Sequence, residues 1–241
     1  MLNGKRIIIL GGSSGIGFAV AQRAAREGSE VVIASHNADR VGRAVTELRK
    51  LAPGASGHAV DLRSESAIHS FFEASGQFDH LVYTAGEELL IKPLLELELG
   101  AARAFFELRY WGALAAIQAA LPRLAKDGSI VLSSGTAARR PFPGFVIGSG
   151  ICGAMEATTR VLAVELAPIR VNIVTPGFVD TELWSNVPSA ARQQMFRDAA
   201  AKLPVGHIGT ADEVAEHYLS FMRGSYVTGQ ALVVDGGGVL V

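Results

Sequence analysis

Cysteine is almost missing from this sequence. The one thiol, Cys152, excludes an intramolecular disulfide and any metal site built from cysteines, and no metal is expected. It fits a reducing, cytoplasmic setting. Excess charge of either sign is missing too, with 22 Lys plus Arg against 23 Asp plus Glu. Such a balance gives no electrostatic reason to expect nucleic acid or an anionic membrane as partner. Long apolar runs are also lacking. The chain passes from Asn3-Gly4-Lys5-Arg6 into Ile7-Ile8-Ile9-Leu10, too short for a signal-peptide core, and no later run is long enough for a bilayer. No linker, repeat or low-complexity tract divides residues 1–241, so one domain is expected.

What is present is a rhythm. Apolar residues make up 49% of the chain. Short, almost continuously apolar runs at Ile7–Leu10, Val31–Ala34, Ala59–Val60, Leu81–Val82, Ile130–Leu132, Val171–Val174 and Leu232–Val234 read as strands covered on both faces. Helical patterns fill the gaps at Ile16–Glu27, Arg40–Leu51, Ala67–Glu73, Ala101–Leu124, Cys152–Leu166 and Asp212–Met222. The alternation predicts an α/β fold: a Rossmann-type doubly wound parallel sheet of about seven strands with helices on both faces. Val179–Gly209 breaks the rhythm and carries Pro188, Pro204, Trp184 and Phe196. Segments this long serve as lids in compact domains; the alternative is a surface excursion with one helix near Ser189–Ala201.

The first predicted strand runs into Gly11-Gly12-Ser13-Ser14-Gly15-Ile16-Gly17, and a helix opens at once. Glycines allow a tight turn and close approach to a pyrophosphate. The helix N-terminus adds unpaired N–H groups and the positive end of its dipole, and Ser13 and Ser14 add hydroxyls. The position after a strand and before a helix separates this turn from a merely structural glycine cluster.

The Gly-x-x-x-Gly-x-Gly spacing and four further segments resemble the short-chain dehydrogenase/reductase family. Asp61-Leu62 resembles the family's adenine contact. Tyr83-Thr84-Ala85-Gly86 is similar to its Asn-Asn-Ala-Gly segment, with both Asn residues replaced. Thr175-Pro176-Gly177-Phe178-Val179-Asp180-Thr181 resembles the loop that holds the nicotinamide carboxamide. Tyr226–Gln230 and Val234–Gly237 resemble its C-terminal signature. The resemblance runs nearly end to end. It implies a nicotinamide dinucleotide held by Gly11, Ser13, Ser14, Gly15, Ile16, Asp61, Leu62, Ala85, Gly86, Pro176, Gly177, Val179 and Thr181. At the end of the second strand Ser35 stands where the family's NAD-type Asp would be, and His36 where its NADP-type Arg often is. Ser35, His36, Asn37 and Arg40 all offer donors to a 2′-phosphate, so NADP(H) is favoured over NAD(H). The competing reading makes Ser35–Asn37 an ordinary turn.

The family's chemistry uses a Tyr as proton donor, a Lys four residues later, a Ser and an Asn. From Gly128 to Leu166 the match has no gap. It puts Gly148 at the Tyr position, Cys152 at the Lys position and Gly135 at the Ser position, with Ser134 adjacent; Arg109 falls at the Asn position. Arg109, Ser134 and Cys152 are the candidates for whatever chemistry remains. Cys152 reads either as a small buried hydrophobe or as a thiol beside the nicotinamide. Arg109, on an apolar helix, needs a partner. That partner is an acid such as Glu87, Glu88 or Glu107, or an anionic substrate. His207 and Tyr110 are alternative proton donors. Three functions stay open: an atypical NADP(H)-dependent oxidoreductase of unknown small-molecule substrate, a catalytically inactive NADP(H)-binding sensor or partner subunit, and an enzyme of another class on the same fold. The Ala101–Leu124 helix, apolar on all sides, predicts a homo-oligomer, and the family resemblance implies a tetramer built on dimers.

Overall fold

The computed structural model describes residues 2–86 and 89–241. Its core is one seven-stranded sheet in which every pairing is parallel. The strands are β1 (Arg6–Leu10), β2 (Glu30–Ser35), β3 (Ser56–Ala59), β4 (Phe78–Tyr83), β5 (Leu124–Ser133), β6 (Arg170–Pro176) and β9 (Ala231–Val234), in the spatial order β3-β2-β1-β4-β5-β6-β9. The direction of winding reverses between β1 and β4. A ligand-binding crevice is expected at that point, beyond the carboxyl ends of the strands.

The strand sequences explain the layering. Ile8 and Leu10 pack with Val32, Leu81, Ile130 and Ile173 into a cluster covered by α3 (Glu65–Ala74), α5 (Gly112–Ala120) and α6 (Val146–Glu165). Ile7 and Ile9 point the other way, toward α1 (Gly15–Arg26), α2 (Ala38–Arg49) and α8 (Ala211–Arg223). Alternate residues of one strand thus serve two cores, and this is why the runs are continuously apolar. Each fully buried Ile or Leu of β1 contributes about 1.5–3 kcal/mol relative to exposure.

Three expected boundaries move. The expected helix Ala101–Leu124 is three pieces: α4 (Leu99–Phe106), a wider π turn at Glu107–Trp111, and α5; Leu124 already belongs to β5. The Tyr83 hydroxyl, from the end of β4, donates to the Leu108 carbonyl within that π turn. At Gly112 a β-carbon would overlap the Leu62 carbonyl and stand 2.9 Å from the Tyr83 hydroxyl, so the helix passes the strand ends at a residue without a side chain. Next, α6 starts at Val146 rather than Cys152, which places Gly148 inside its first turn. Last, β3 pairs through Ser56–Ala59 instead of Ala59–Val60. Gly57 there lies so tightly against Val41, Val45 and Ile33 that an apolar side chain at that position would not fit.

The long excursion is bounded by a second, two-stranded sheet of β7 (Val179–Asp180) and β8 (Gly209–Thr210). Between them runs α7 (Ser189–Ala200), a helix with no buried residue. Thr210 and Glu213 form a capping box that fixes the start of α8 where the excursion ends. Among the described residues no helix is long and apolar enough to cross a membrane.

Candidate active site

A cleft of about 580 Å³ opens at the carboxyl edge of the sheet, where β1 and β4 part. The glycine turn forms one wall. Gly11 has φ +88°, and a β-carbon there would lie 2.5 Å from the Ala85 nitrogen. Gly15 has φ +53°. At Gly17 a β-carbon would overlap the Gly11 carbonyl and the Thr84 hydroxyl. Only glycine brings this turn, the helix and the next strand so close. Helix α1 starts after an extended Ser14 that makes no side-chain cap, and its first turn holds no acid. Its first N–H groups therefore open on the cleft with no acid of the helix itself to offset their dipole, a cradle suited to a diphosphate. Ser13, Ser14 and Ile16 line the same wall. From across the cleft Thr181 and the Glu182 carboxylate approach; Oε2 of Glu182 lies 3.6 Å from the β-carbon position of Gly15.

At one end of the cleft stand Ser35, His36 and Arg40, with Asp61, Leu62 and Arg63 opposite. The Asn37 side chain is used differently from its expected role. Its Oδ1 accepts from the Arg40 nitrogen at 2.8 Å and caps α2, and the residue does not line the cleft. Asp61 accepts from Arg63 Nε at 3.0 Å. That bond, aided by the Arg63 backbone N–H and the nearby His36, holds the carboxyl below its ordinary range. Arg63 escaped the sequence reading, although it lies only two residues past the highlighted Asp61.

At the other end α6, the end of β5 and the π turn converge. The Ser134 hydroxyl donates to the Cys152 carbonyl at 3.2 Å. A β-carbon at Gly135 would stand 3.3 Å from Cys152 Sγ. Burial pushes the Cys152 thiol up, against the opposing pull of the Ser134 hydrogen bond and the Arg109 charge. Gly148 faces open space: a β-carbon there would meet only Phe145 Cδ1, at 3.6 Å. Arg109 projects from the π turn onto Gly86, with its guanidinium carbon 4.7 Å from the Phe105 ring centroid. Two of the acids first considered as its partners, Glu87 and Glu88, lie outside the described residues. Ala85, Pro176, Gly177 and Val179 complete this half of the cleft.

Leu89, Phe105, Phe142, Phe145, Leu183 and Trp184 make the walls apolar. Beneath them the Tyr218 hydroxyl lies 2.7 Å from Ser133 Oγ, which donates to the Tyr83 carbonyl at 2.8 Å. Tyr218 is wholly buried, and burial pushes its hydroxyl well above the ordinary tyrosine range. The two alternative acids stand away from the cleft lining. Tyr110 lies 3.3 Å from Thr158 Oγ1, and the exposed His207 pairs with Glu213.

The family model described as enoyl-(acyl carrier protein) reductase matches residues 11–238. The short-chain dehydrogenase/reductase ATR9 of Stachybotrys chlorohalonatus is 36% identical over 99% of this chain and 98% of its own length. This chain belongs to the short-chain dehydrogenase/reductase family. The family's malC of Malbranchea aurantiaca is 30% identical over 100% of this chain and 96% of its own. Among solved structures, a small-chain dehydrogenase in complex with NADPH superposes with a TM-score of 0.87 at 34% identity, covering 99% of this chain and all of that one. The MalC reductase/Diels–Alderase from M. aurantiaca gives 0.93 at 29% identity, covering 100% of this chain and 98% of that one. The chain is accordingly an oxidoreductase of this family's type, on a Rossmann sheet whose glycine turn suits a dinucleotide.

Proposed function

We propose that the protein is an atypical NADP(H)-dependent oxidoreductase that works without the family's Tyr/Lys pair, on a small-molecule substrate of unknown identity. The observation that carries this reading is the first turns of α6, where Gly148 leaves open space and Cys152 replaces a cation. A bound nicotinamide would supply or accept a hydride. The chain's own residues hold and orient: the α1 N-terminus and Gly11–Ile16 take the diphosphate, and the segment from Pro176 to Thr181 takes the carboxamide end. Preference for NADP(H) is supported by Ser35, which puts no carboxylate beside the ribose, and by the hydrogen-bond donors of His36, Arg40 and Arg63 around it. Arg109 supports an anionic group on the substrate. A homo-oligomer, a tetramer built on dimers in line with the family, is proposed on the exposed apolar side chains of α6 and the π turn.

A second reading, a dinucleotide-binding sensor or partner subunit without turnover, is favoured by the same feature. Among the described residues no tyrosine or histidine near the reacting space is placed to give up a proton: Tyr218 is sealed beneath the floor, and Tyr110 and His207 stand outside. The two readings separate in a nicotinamide absorbance assay. Little or no turnover of ordinary ketones, aldehydes or secondary alcohols is expected with either cofactor, since a positioned acid contributes about 10²–10⁴-fold. Rates usual for the family on such substrates would overturn the proposal. A substrate-dependent absorbance change with another carbonyl class establishes turnover; NADPH binding without any such change establishes the sensor.

A further inference from the structure

We propose that the chain carries a second binding site, at the opposite edge of the sheet from the cleft, which takes a small tetrahedral oxyanion: inorganic phosphate or the phosphoryl group of a small metabolite. This site stands independently of the oxidoreductase reading above.

Four strands set it up. Ile7 of β1 lies opposite His80 of β4, His80 opposite Ser129 of β5, and Ser129 opposite Arg170 of β6. Residues in register share a face of the sheet, and Ile7 puts this row on the side of α1 and α8. The row lies near the amino ends of β1, β4 and β6, whereas the dinucleotide cleft opens at the carboxyl ends. An otherwise apolar layer thus carries three polar side chains in succession. His80 and Arg170 border a cavity of about 160 Å³, with Lys5, Asp127, Arg223 and Ser225 around it. At about 30 Å³ per water that is room for roughly five waters, or for the five heavy atoms of a phosphate.

The hydrogen bonding decides what the cavity lacks. Ser129 is wholly buried, and among the described residues its hydroxyl has one partner, His80 Nδ1, at 2.9 Å. The hydroxyl proton therefore goes to Nδ1, since a buried donor without an acceptor is costly. The single proton of the neutral ring is then on Nε2. His80 is only 4% exposed, its ring borders the cavity, and Nε2 has no partner among the described residues. A nearly buried N–H in that place calls for an acceptor. It turns away a metal ion, which would need a lone pair on the same atom.

The charges agree. Three cations of the lining, Lys5, Arg170 and Arg223, face one acid, Asp127. Arg223 is held by Glu27 and Glu216, and Lys5 gives one of its three donors to Asp79 at 2.7 Å. Arg170 donates to the Phe221 and Met222 carbonyls at 2.6 and 3.1 Å, so its partly buried charge is met by carbonyls at the end of α8. Asp127 sits on the exposed rim and reaches Lys5, His80 and Arg170 through space. An oxyanion between Nε2, Arg170 and Lys5 satisfies all three, and Ser225 adds a hydroxyl at the mouth.

The test follows the His80 ring by NMR in protein labelled at histidine, the signals being assigned by their loss in His80→Gln. Sulfate is the first probe, because its charge stays fixed as pH changes. It should move the Nε2 signal with saturation near or below about 1 mM. At saturation the His80 titration should lie about one pH unit or more above its sulfate-free position, a roughly tenfold stronger hold on the imidazolium. Lys5→Met should loosen sulfate and Asp127→Asn should tighten it, each by about two- to fivefold. Should Lys5→Met fail to fold, the exposed Asp127→Asn gives the same decision. An unmoved ring signal, or binding that neither substitution alters, means an adventitious ion only and overturns the proposal. So does a signal moved by zinc but not by sulfate, which would give Nε2 a lone pair. Inorganic phosphate and glycerol 3-phosphate then compete with sulfate: the tighter of the two tells whether the free ion or a phosphoryl group is the ligand. Acetate bound more tightly than both overturns the tetrahedral class.

Discussion

The guanidinium of Arg109 lies against Gly86 so closely that a β-carbon on residue 86 would stand 2.8 Å from its Nη1. The obstructing atoms belong to the far end of a flexible side chain, so a methyl group there should displace the guanidinium and not the backbone. Gly86→Ala is expected to fold with stability within about 1 kcal/mol of wild type. It should nonetheless move the Arg109 guanidinium off residue 86, which a crystal structure of the variant checks. A guanidinium left in place would show that this packing does not aim Arg109.

The cofactor preference turns on one position. NADPH should bind more tightly than NADH. Ser35→Asp places a carboxylate at the end of β2, beside the ribose, and should weaken NADPH by about tenfold or more, near 1.4 kcal/mol, while sparing NADH. Calorimetric titration of both dinucleotides checks this. An NADH preference in the wild type would remove Ser35, His36 and Arg40 from phosphate recognition.

Glu182 brings a negative charge to the diphosphate cradle, with Oε2 3.6 Å from the β-carbon position of Gly15. Glu182→Gln should tighten dinucleotide binding roughly two- to fivefold at low salt. The gain should shrink as ionic strength rises, because exposed charges are screened. A gain unchanged by salt would point to a shape effect instead.

Burial within β4 pushes the His80 imidazole down to about 4, although neighbouring Asp79 pulls the other way. Its ring Nδ1 lies 2.9 Å from Ser129 Oγ. Above pH 6.5 the imidazole is neutral whether the chain is folded or not. As pH falls from about 6.5 to about 4, the unfolded chain takes up a proton that the folded one refuses, so stability is lost across that window. The loss from this group amounts to about 3 kcal/mol. Urea midpoints measured from pH 7 to pH 4 should fall accordingly, and His80→Gln should flatten that slope while lowering stability at pH 7.

Apolar side chains remain exposed where helices meet solvent: Leu99 at 60%, Trp111 at 54%, Val161 at 54% and Val164 at 78%. A second copy of the chain is the proposed cover. Light scattering at micromolar concentration should give a mass above the monomer, and Trp111→Glu should shift it downward. A monomeric wild type would exclude the oligomer.

Much of this was legible in the sequence because it depended on local pattern. Ile7–Leu10 had to be a strand covered on both faces, and Gly11–Gly17 had to be a turn opening a helix. What stayed hidden depended on distant partners. The π turn at Glu107–Trp111 is held by Tyr83 from another element, which no helical periodicity within 101–124 reports. Asn37 has the chemistry of a phosphate ligand and of a helix cap, and only the fold gave it to the Arg40 nitrogen. Phe142 and Phe145 sit in a loop with no pattern of its own, so their place on the cleft wall follows from where Gly144, at φ +85°, turns the chain into α6. The start of α6 was missed because Gly148 and Gly150 look like helix breakers; packing of Ile151 and Met155 overrides them.

Arg109, Gly135, Gly148 and Cys152 belong to neither of the two apolar clusters that flank the sheet. Phe105 and Ile151 belong to one of those clusters and also line the cleft, so the core reaches the reacting space while these four positions stand on its margin. Exchanging these four should disturb the two cores far less than exchanging a β1 isoleucine, so the reacting space can change at a small cost in thermal stability. A library randomised at these four positions should retain mostly folded members, giving the scaffold unusual freedom as a starting point for new chemistry.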